Sequence, residues 1–139
     1  MKLPQVKILR QFHFFLRKLH YLINKIKKFI VIFISKRHKK FMETLSDLIN
    51  SSVLVLIDIY ADWCAPCKAM APVLKQLKEK QGDAIRIIKI NIDKNPQFAS
   101  QYAIYSVPTL MIFKSGKQLW RQSGAMSLNE LNTIVGMFK

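Results

Sequence analysis

The chain has 139 residues, half of them hydrophobic, so it can bury a core and global disorder is excluded. Its net charge of +15 is unevenly placed: residues 1–40 hold 12 of the 23 lysines and arginines and no acidic residue, while the remainder is nearly balanced. Given that near balance and the lack of a groove-reading motif, we expect no nucleic-acid partner.

Residues 1–41 are predicted to form a basic amphipathic helical extension. Apolar residues recur there at steps of three and four, and most of the basic residues fall on the opposite side of the helix. The longest unbroken apolar run has six residues, at 29–34, whereas a membrane span needs about 20. The apolar positions are Ile8, Phe12, Phe15, Leu19, Leu22, Ile23, Ile26, Ile30 and Phe33.

Two interpretations of this extension stay open. A basic amphipathic helix can hold a domain on an anionic membrane surface. Alternatively, the composition becomes that of a balanced domain at Met42, so residues 1–41 can be the product of a mis-chosen start codon. In both cases we expect the folded domain to span residues 42–139.

The second segment alternates helical and strand patterns. A short helix is predicted over 43–50, a strand buried on both faces over 53–60, and a helix kinked by Pro72 over 67–80. A strand (85–92), a short helix (96–102), a hairpin (109–113 and 118–123) and a final helix (127–138) follow. Ser127 and Glu130 form a capping box at the start of the last helix. The order predicts an α/β fold: a mixed sheet of four to five strands with helices on both faces.

The two cysteines, Cys64 and Cys67, lie where the first strand gives way to a helix. A structural zinc site needs four Cys or His ligands, and all three histidines lie in residues 1–40, so redox chemistry is favoured over metal binding. A cysteine in the first helical turn meets free N–H groups and the positive end of the helix dipole, which favour the thiolate. Cys67, one turn on, is placed to attack a mixed disulfide formed at Cys64. Pro66 fits the first helical turn and stiffens the ring that the disulfide closes.

The segment Trp63-Cys64-Ala65-Pro66-Cys67-Lys68 resembles the active site of the thioredoxin family, in which glycine is usual at the position of Ala65. The resemblance extends over residues 43–138. Matching residues are Asp58, Pro72, Lys89, Pro108, Gly116 and Gly124. Tyr60 departs from the pattern, since a tryptophan is common there.

The resemblance implies a thioredoxin fold and a set of site residues. The catalytic set would be Cys64, Cys67, Asp58 and Lys89, with Asp58 accepting the proton of Cys67. From the sequence itself, burial of Asp58 in an apolar strand should raise its pKa, and Lys89 either reaches Asp58 or faces solvent. Client proteins would bind at Trp63, Ala65, Pro66, Val107, Pro108 and Gly124. The resemblance also implies a cis peptide bond before Pro108.

We therefore expect a protein-disulfide reductase that performs dithiol–disulfide exchange and maintains redox homeostasis in the cytoplasm. The proline before the second cysteine is typical of the reductants of the family. The resemblance implies a monomer with no cofactor beyond its own disulfide, regenerated by an NADPH-dependent thioredoxin reductase. Two alternatives remain: the same chemistry at a membrane surface, and a non-catalytic binding module with this fold.

Overall fold

The computed structural model describes the backbone of residues 5–139 and the side chains of residues 15–36, 42 and 44–139. Its first element is a long helix, α1 (Gln5–Ile49). The chain divides into two units, one ending at Met42 and the other spanning Glu43–Lys139. Between Gln5 and Ile49 the sequence has neither glycine nor proline, so nothing in the residues stops a helix. The prediction of a separate helix over 43–50 is therefore wrong: those residues continue α1.

The second unit is built on a four-stranded mixed sheet in the order β2-β1-β3-β4. β1 pairs in parallel with β2 and antiparallel with β3, and β3 pairs antiparallel with β4. The strands are β1 (Leu54–Tyr60), β2 (Ile85–Asn91), β3 (Thr109–Lys114) and β4 (Lys117–Ser123). The strands were thus predicted to within two residues at either end, and the sheet has the lower of the two expected strand counts.

Three further helices lie in this unit: α2 (Ala65–Gln81), α3 (Pro96–Gln101) and α4 (Leu128–Met137), and a 3-10 turn follows α2 at Gly82–Ala84. The helices cover both faces of the sheet. On one face, α2 and α4 enclose the main apolar cluster together with residues of β1 and β3. On the other face, the ring of Tyr102 stacks on Phe98 of α3 and meets Phe113 of β3 edge-on. The capping box predicted for α4 is present, with reciprocal bonds between Ser127 and Glu130.

The turn between β3 and β4 contacts the end of α1. The Gly116 N–H donates to the Ile49 carbonyl at 3.0 Å, and the Ser115 N–H donates to the Ser51 carbonyl at 2.9 Å. Gly116 has φ +79°, a backbone conformation that favours glycine. The chain therefore enters the sheet domain beside this turn.

Within residues 5–139, no helix combines the length and the hydropathy that crossing a lipid bilayer requires. The apolar side chains of α1 between residues 15 and 34 are instead exposed, as Phe15, Leu19, Leu22, Ile26, Ile30 and Phe33 illustrate. This part of the helix thus presents its apolar face uncovered.

Candidate active site

The two cysteines lie at the amino-terminal end of α2 and form a disulfide. Cys64 is the N-cap residue of that helix, and its sulfur accepts a hydrogen bond from the Cys67 N–H at 3.2 Å. Both cysteines are 3% exposed, whereas Ala65 and Pro66 between them are exposed. The Cys64 sulfur therefore sits where helix N–H groups and the helix dipole stabilise negative charge.

The local sequence explains this placement. Apart from Asp58, β1 consists of apolar and aromatic residues; it is buried on both faces as far as Ile59 and ends at Tyr60. The chain then turns through Ala61, whose carbonyl accepts a hydrogen bond from the Cys64 N–H. Pro66 lies in the first turn of α2, where its missing N–H breaks no helical hydrogen bond.

Asp58 is fully buried in β1, as the sequence predicted. It lies on the face of the sheet covered by α2. Asp58 follows Leu54 and Leu56 at steps of two residues, so all three point to the same face, and both leucines belong to the cluster that α2 covers. Burial raises the pKa of Asp58, and contact with Lys89 opposes that rise by stabilising the carboxylate. A carboxyl group in this position can hold a proton at a higher pH than an exposed aspartate.

Lys89 is paired with Asp58 in the register of β2 on β1. Its Nζ lies 3.1 Å from Asp58 Oδ2, while the side chain stays 42% exposed. Of the two placements open at the sequence level, the structure therefore shows the one in which Lys89 reaches Asp58.

The loop before β3 brings a second segment to the cysteines. The Val107–Pro108 peptide bond is cis, as the resemblance implied. Val107 packs against the cluster formed by Ala61, Cys64 and Cys67. The Pro108 carbonyl accepts a hydrogen bond from the Gly124 N–H at 2.8 Å. Because β3 runs antiparallel to β1, its start lies beside the end of β1, where the cysteines follow.

Trp63 stands at the edge of the site with 69% of its surface exposed. Its indole Nε1 donates to Asp93 Oδ2 at 3.0 Å, which fixes the ring beside Cys64. Sequence reasoning did not select Asp93. The available signal was its position just after β2, at the same end of the parallel pair as the cysteines.

No cluster of three or more potential metal-binding side chains (His, Cys, Asp or Glu) occurs in the portion of the chain with described coordinates. The group at the site that can accept or deliver electrons is the Cys64–Cys67 pair itself.

Comparisons with known proteins agree with this geometry. The family model described as Thioredoxin matches residues 32–136. A thioredoxin of Acidithiobacillus ferridurans is 42% identical over 90 residues, which is 65% of this chain and 83% of that protein. The structure of a mutant thioredoxin from Halobacterium salinarum NRC-1 is similar with a TM-score of 0.63 and 34% identity, covering 68% of this chain and 81% of that one. The oxidized mitochondrial thioredoxin 3 of Saccharomyces cerevisiae gives a TM-score of 0.63 at 29% identity, with 69% and 89% covered.

Proposed function

This chain belongs to the thioredoxin family and is a thiol–disulfide oxidoreductase, and we propose that Cys64 is its nucleophile and Cys67 its resolving thiol. The observation that carries this assignment is the position of the Cys64 sulfur at the N-cap of α2, where it accepts the Cys67 N–H. A thiolate at that position is stabilised by the helix end, so Cys64 is the better nucleophile near neutral pH.

The reaction proceeds in two exchanges. The Cys64 thiolate attacks one sulfur of a client disulfide, which releases the other client sulfur as a thiolate and leaves a mixed disulfide at Cys64. Cys67 then loses its proton and attacks Cys64, which releases the second client thiol and forms the Cys64–Cys67 disulfide. Two electrons pass to the client, and the enzyme is left in the oxidised form described above.

Asp58 is proposed to accept the proton of Cys67. Both groups are buried, and both face the space between β1 and α2: Asp58 on the covered side of the strand, Cys67 on the buried side of the helix. A carboxyl group with a raised pKa is a better proton acceptor than an ordinary aspartate because its conjugate acid is weaker. Lys89 is proposed to stabilise the carboxylate form.

Clients are proposed to dock on the exposed surface around the cysteines. Trp63, Ala65 and Pro66 supply exposed apolar area beside Cys64. Val107 and Pro108 supply a backbone segment next to the cysteine cluster, held in place by Gly124. A backbone edge of this kind can pair with an extended client segment, so the proposed clients are proteins with an accessible disulfide.

The oxidised enzyme must be reduced again for turnover. We propose an NADPH-dependent thioredoxin reductase as the electron source, in keeping with membership of the family. Such a supply places the protein in a reducing compartment, and we propose the cytoplasm, with the protein acting as a monomer.

The exposed apolar side chains between residues 15 and 34 support a second proposal about location, in which residues 1–41, here called the arm, bind a membrane. Most of its basic residues lie on the side of the helix opposite the apolar face, so this segment can lie on an anionic membrane surface with its lysines at the headgroups. The chemistry at the cysteines would be the same, and the clients would be those near the membrane.

The cysteine roles are tested with insulin as the disulfide substrate and NADPH with thioredoxin reductase as the electron source. Cys64→Ser is expected to lose turnover and to form no mixed disulfide. Cys67→Ser is expected to form a mixed disulfide at Cys64 that persists and adds the mass of an insulin chain. Ala69→Ser, an exposed substitution on the same helix, should retain normal turnover. A persistent mixed disulfide in Cys64→Ser in place of Cys67→Ser would reverse the roles.

A further inference from the structure

Tyr60 lies beside the Asp58–Lys89 pair and has no role in the steps above. It ends β1 two residues after Asp58, so the two side chains are on the same face of the sheet. The Lys89 Nζ lies 5.0 Å from the centre of the Tyr60 ring and 3.1 Å from Asp58 Oδ2. The ammonium group thus contacts an aromatic ring and a buried carboxylate together.

We propose that Tyr60 is a positioning residue of the exchange reaction, which holds the Lys89 ammonium against Asp58 through a cation–π contact. This inference rests on the proposed role of Asp58 as proton acceptor. To that role it adds Tyr60 as the residue that keeps the Lys89 ammonium next to Asp58.

Lys89 needs such a contact because its side chain is 42% exposed. A lysine has a flexible aliphatic stem and a strongly hydrated ammonium group, so a single ion pair at a surface holds it weakly. The face of a tyrosine ring attracts the ammonium in the position where it also meets Asp58 Oδ2. The ring therefore reduces the freedom that Lys89 would otherwise have to turn toward solvent.

The protonation of Asp58 depends strongly on the position of Lys89, because the other side chains packed around the carboxyl group carry no charge. Its neighbour on β3 is Leu110. The buried side chains of α2 that face this side of the sheet are Cys67, Met70, Leu74 and Leu77, and those of α4 are Leu131 and Val135. Among the residues with described side chains, Lys89 is the charged group in contact with Asp58, and the ionisable groups on this face besides that pair are the Tyr60 phenol and, in the reduced protein, the Cys67 thiol.

Tyr60 has a second contact that the test must separate from the first. Its ring packs against the cluster of Ala61, Cys64 and Cys67, and Ile92 packs against the same cluster. A substitution at Tyr60 can therefore disturb the cysteines without acting through Lys89. Ile92→Ala is the matched control, because an aliphatic side chain offers Lys89 no cation–π contact.

The first measurement is the titration of the Asp58 carboxyl carbon by carbon-13 NMR in the oxidised full-length protein, where the cysteines do not titrate. The Asp58→Asn variant assigns the signal. In Tyr60→Leu the midpoint is expected to rise by about half a pH unit, since the carboxylate loses part of its cation. Tyr60→Phe and Tyr60→Trp keep an aromatic face and should not raise it. Greater entry of water would lower the midpoint, so a merely structural effect has the opposite sign.

The second measurement is a double-mutant cycle with Lys89→Met. If Tyr60 acts through Lys89, Tyr60→Leu changes the midpoint in the wild-type background and has no effect once Lys89 is replaced. Equal effects in both backgrounds, or an equal rise in Ile92→Ala, would overturn the proposal. If Tyr60→Leu does not fold, the Asp58 midpoints of Tyr60→Phe and Tyr60→Trp are compared in the same two backgrounds. Trp is the stronger cation–π partner, so its midpoint should be the lower one where Lys89 is present and should equal that of Tyr60→Phe where Lys89 is replaced.

The third measurement is the pH dependence of kcat for insulin reduction. Because deprotonation of Cys64 also affects the rate, the inflection assigned to Asp58 is the one that disappears in Asp58→Asn, and it should move in the same direction as the NMR midpoint in Tyr60→Leu. A pH profile that is the same in Asp58→Asn as in the wild type contradicts the proposed role of Asp58, even where the NMR midpoint still follows Tyr60. An inflection lost in Asp58→Asn and unmoved in Tyr60→Leu contradicts the role of Tyr60 alone.

Discussion

Asp58 is a carboxyl group in a fully buried position, and its Oδ1 has no hydrogen-bond partner among the residues that the structure describes. Since burial raises its pKa, the folded state keeps its proton to a higher pH than the unfolded chain does. The folded state loses stability as pH rises from the unfolded pKa to the folded pKa, and above that interval it contains a buried carboxylate at full cost. The residue proposed to assist catalysis is therefore a source of instability near and above neutral pH.

The corresponding prediction concerns Asp58→Asn in the oxidised protein. At mildly alkaline pH its free energy of unfolding should exceed that of the wild type by about 1–3 kcal/mol, because no charge is buried. The difference should shrink as pH falls below the folded pKa of Asp58. Urea unfolding across the pH range measures the stability difference and its dependence on pH. A difference that stays constant with pH would contradict the proposed cost of burying the Asp58 carboxylate.

Asp62→Asn is the matched control for that experiment. Asp62 is exposed and pairs with Lys94 at 3.4 Å, so its removal should change stability little at any pH.

For individual residues, the sequence predicted burial or exposure where the residue type and its neighbours determine it. Asp58 could be predicted as buried because it interrupts an apolar strand. The partners of Trp63 and Arg121 could not be predicted, because their contacts depend on how distant segments meet. The Arg121 guanidinium donates to the carbonyls of Tyr102 and Ala103, 19 and 18 residues earlier in the chain, at 2.8 and 2.7 Å.

Among the secondary-structure elements, α1 differs along its length in how far its apolar side chains are buried. Its side chains between residues 15 and 34 include many exposed apolar groups, whereas Leu45 and Ile49 near its carboxyl end are buried in the sheet domain. The last turns of α1 are therefore part of the folded core, although they belong to the same helix as the exposed segment.

This difference predicts unequal effects of two leucine-to-alanine substitutions in one helix. Leu45→Ala should lower the free energy of unfolding by about 2–5 kcal/mol, since it leaves a cavity at a residue only 2% exposed. Leu16→Ala, at a residue 46% exposed, should change it by less than about 0.5 kcal/mol. Thermal or urea unfolding measures the pair, and equal losses would show that the exposed segment is packed in solution.

The elements were predictable where hydrophobic spacing and punctuation agree. Continuous apolar runs for the strands and period-3.6 spacing for the helices, together with Gly82 and Pro96, mark most boundaries in the second unit. The continuity of α1 was missed because the change in composition near Met42 resembles a boundary between elements. A helix continues across such a change when no residue terminates it.

For the molecule as a whole, the charge is unevenly distributed between the two units. The redox site belongs to a unit of nearly balanced charge, and the excess of basic residues lies in residues 1–40. A membrane surface would therefore attract the arm far more strongly than the redox domain. The sequence predicted this asymmetry fully, since charge counting needs no coordinates.

We accordingly expect the full chain to bind vesicles containing anionic lipid and to be released by salt. Replacing Lys25 and Lys28 with glutamine should weaken binding roughly thirtyfold at low salt, at about 1 kcal/mol for each lysine. Replacing Lys75 and Lys80 of α2 removes the same charge from the redox domain and should have little effect. Vesicle co-sedimentation compares the pairs, and equal losses would indicate a response to total charge.

The contact between Gly116 and Ile49 also fixes where the chain joins the sheet. The β3–β4 turn is at the opposite end of β3 from Pro108, so the junction is remote from Cys64 and Cys67. Coupling to a solid support at Thr44, an exposed residue of the second unit close to this junction, would leave the redox end facing bulk solution. An immobilised form prepared this way should therefore keep access to large disulfide substrates, whereas coupling through Lys68, one residue beyond the disulfide, would obstruct them.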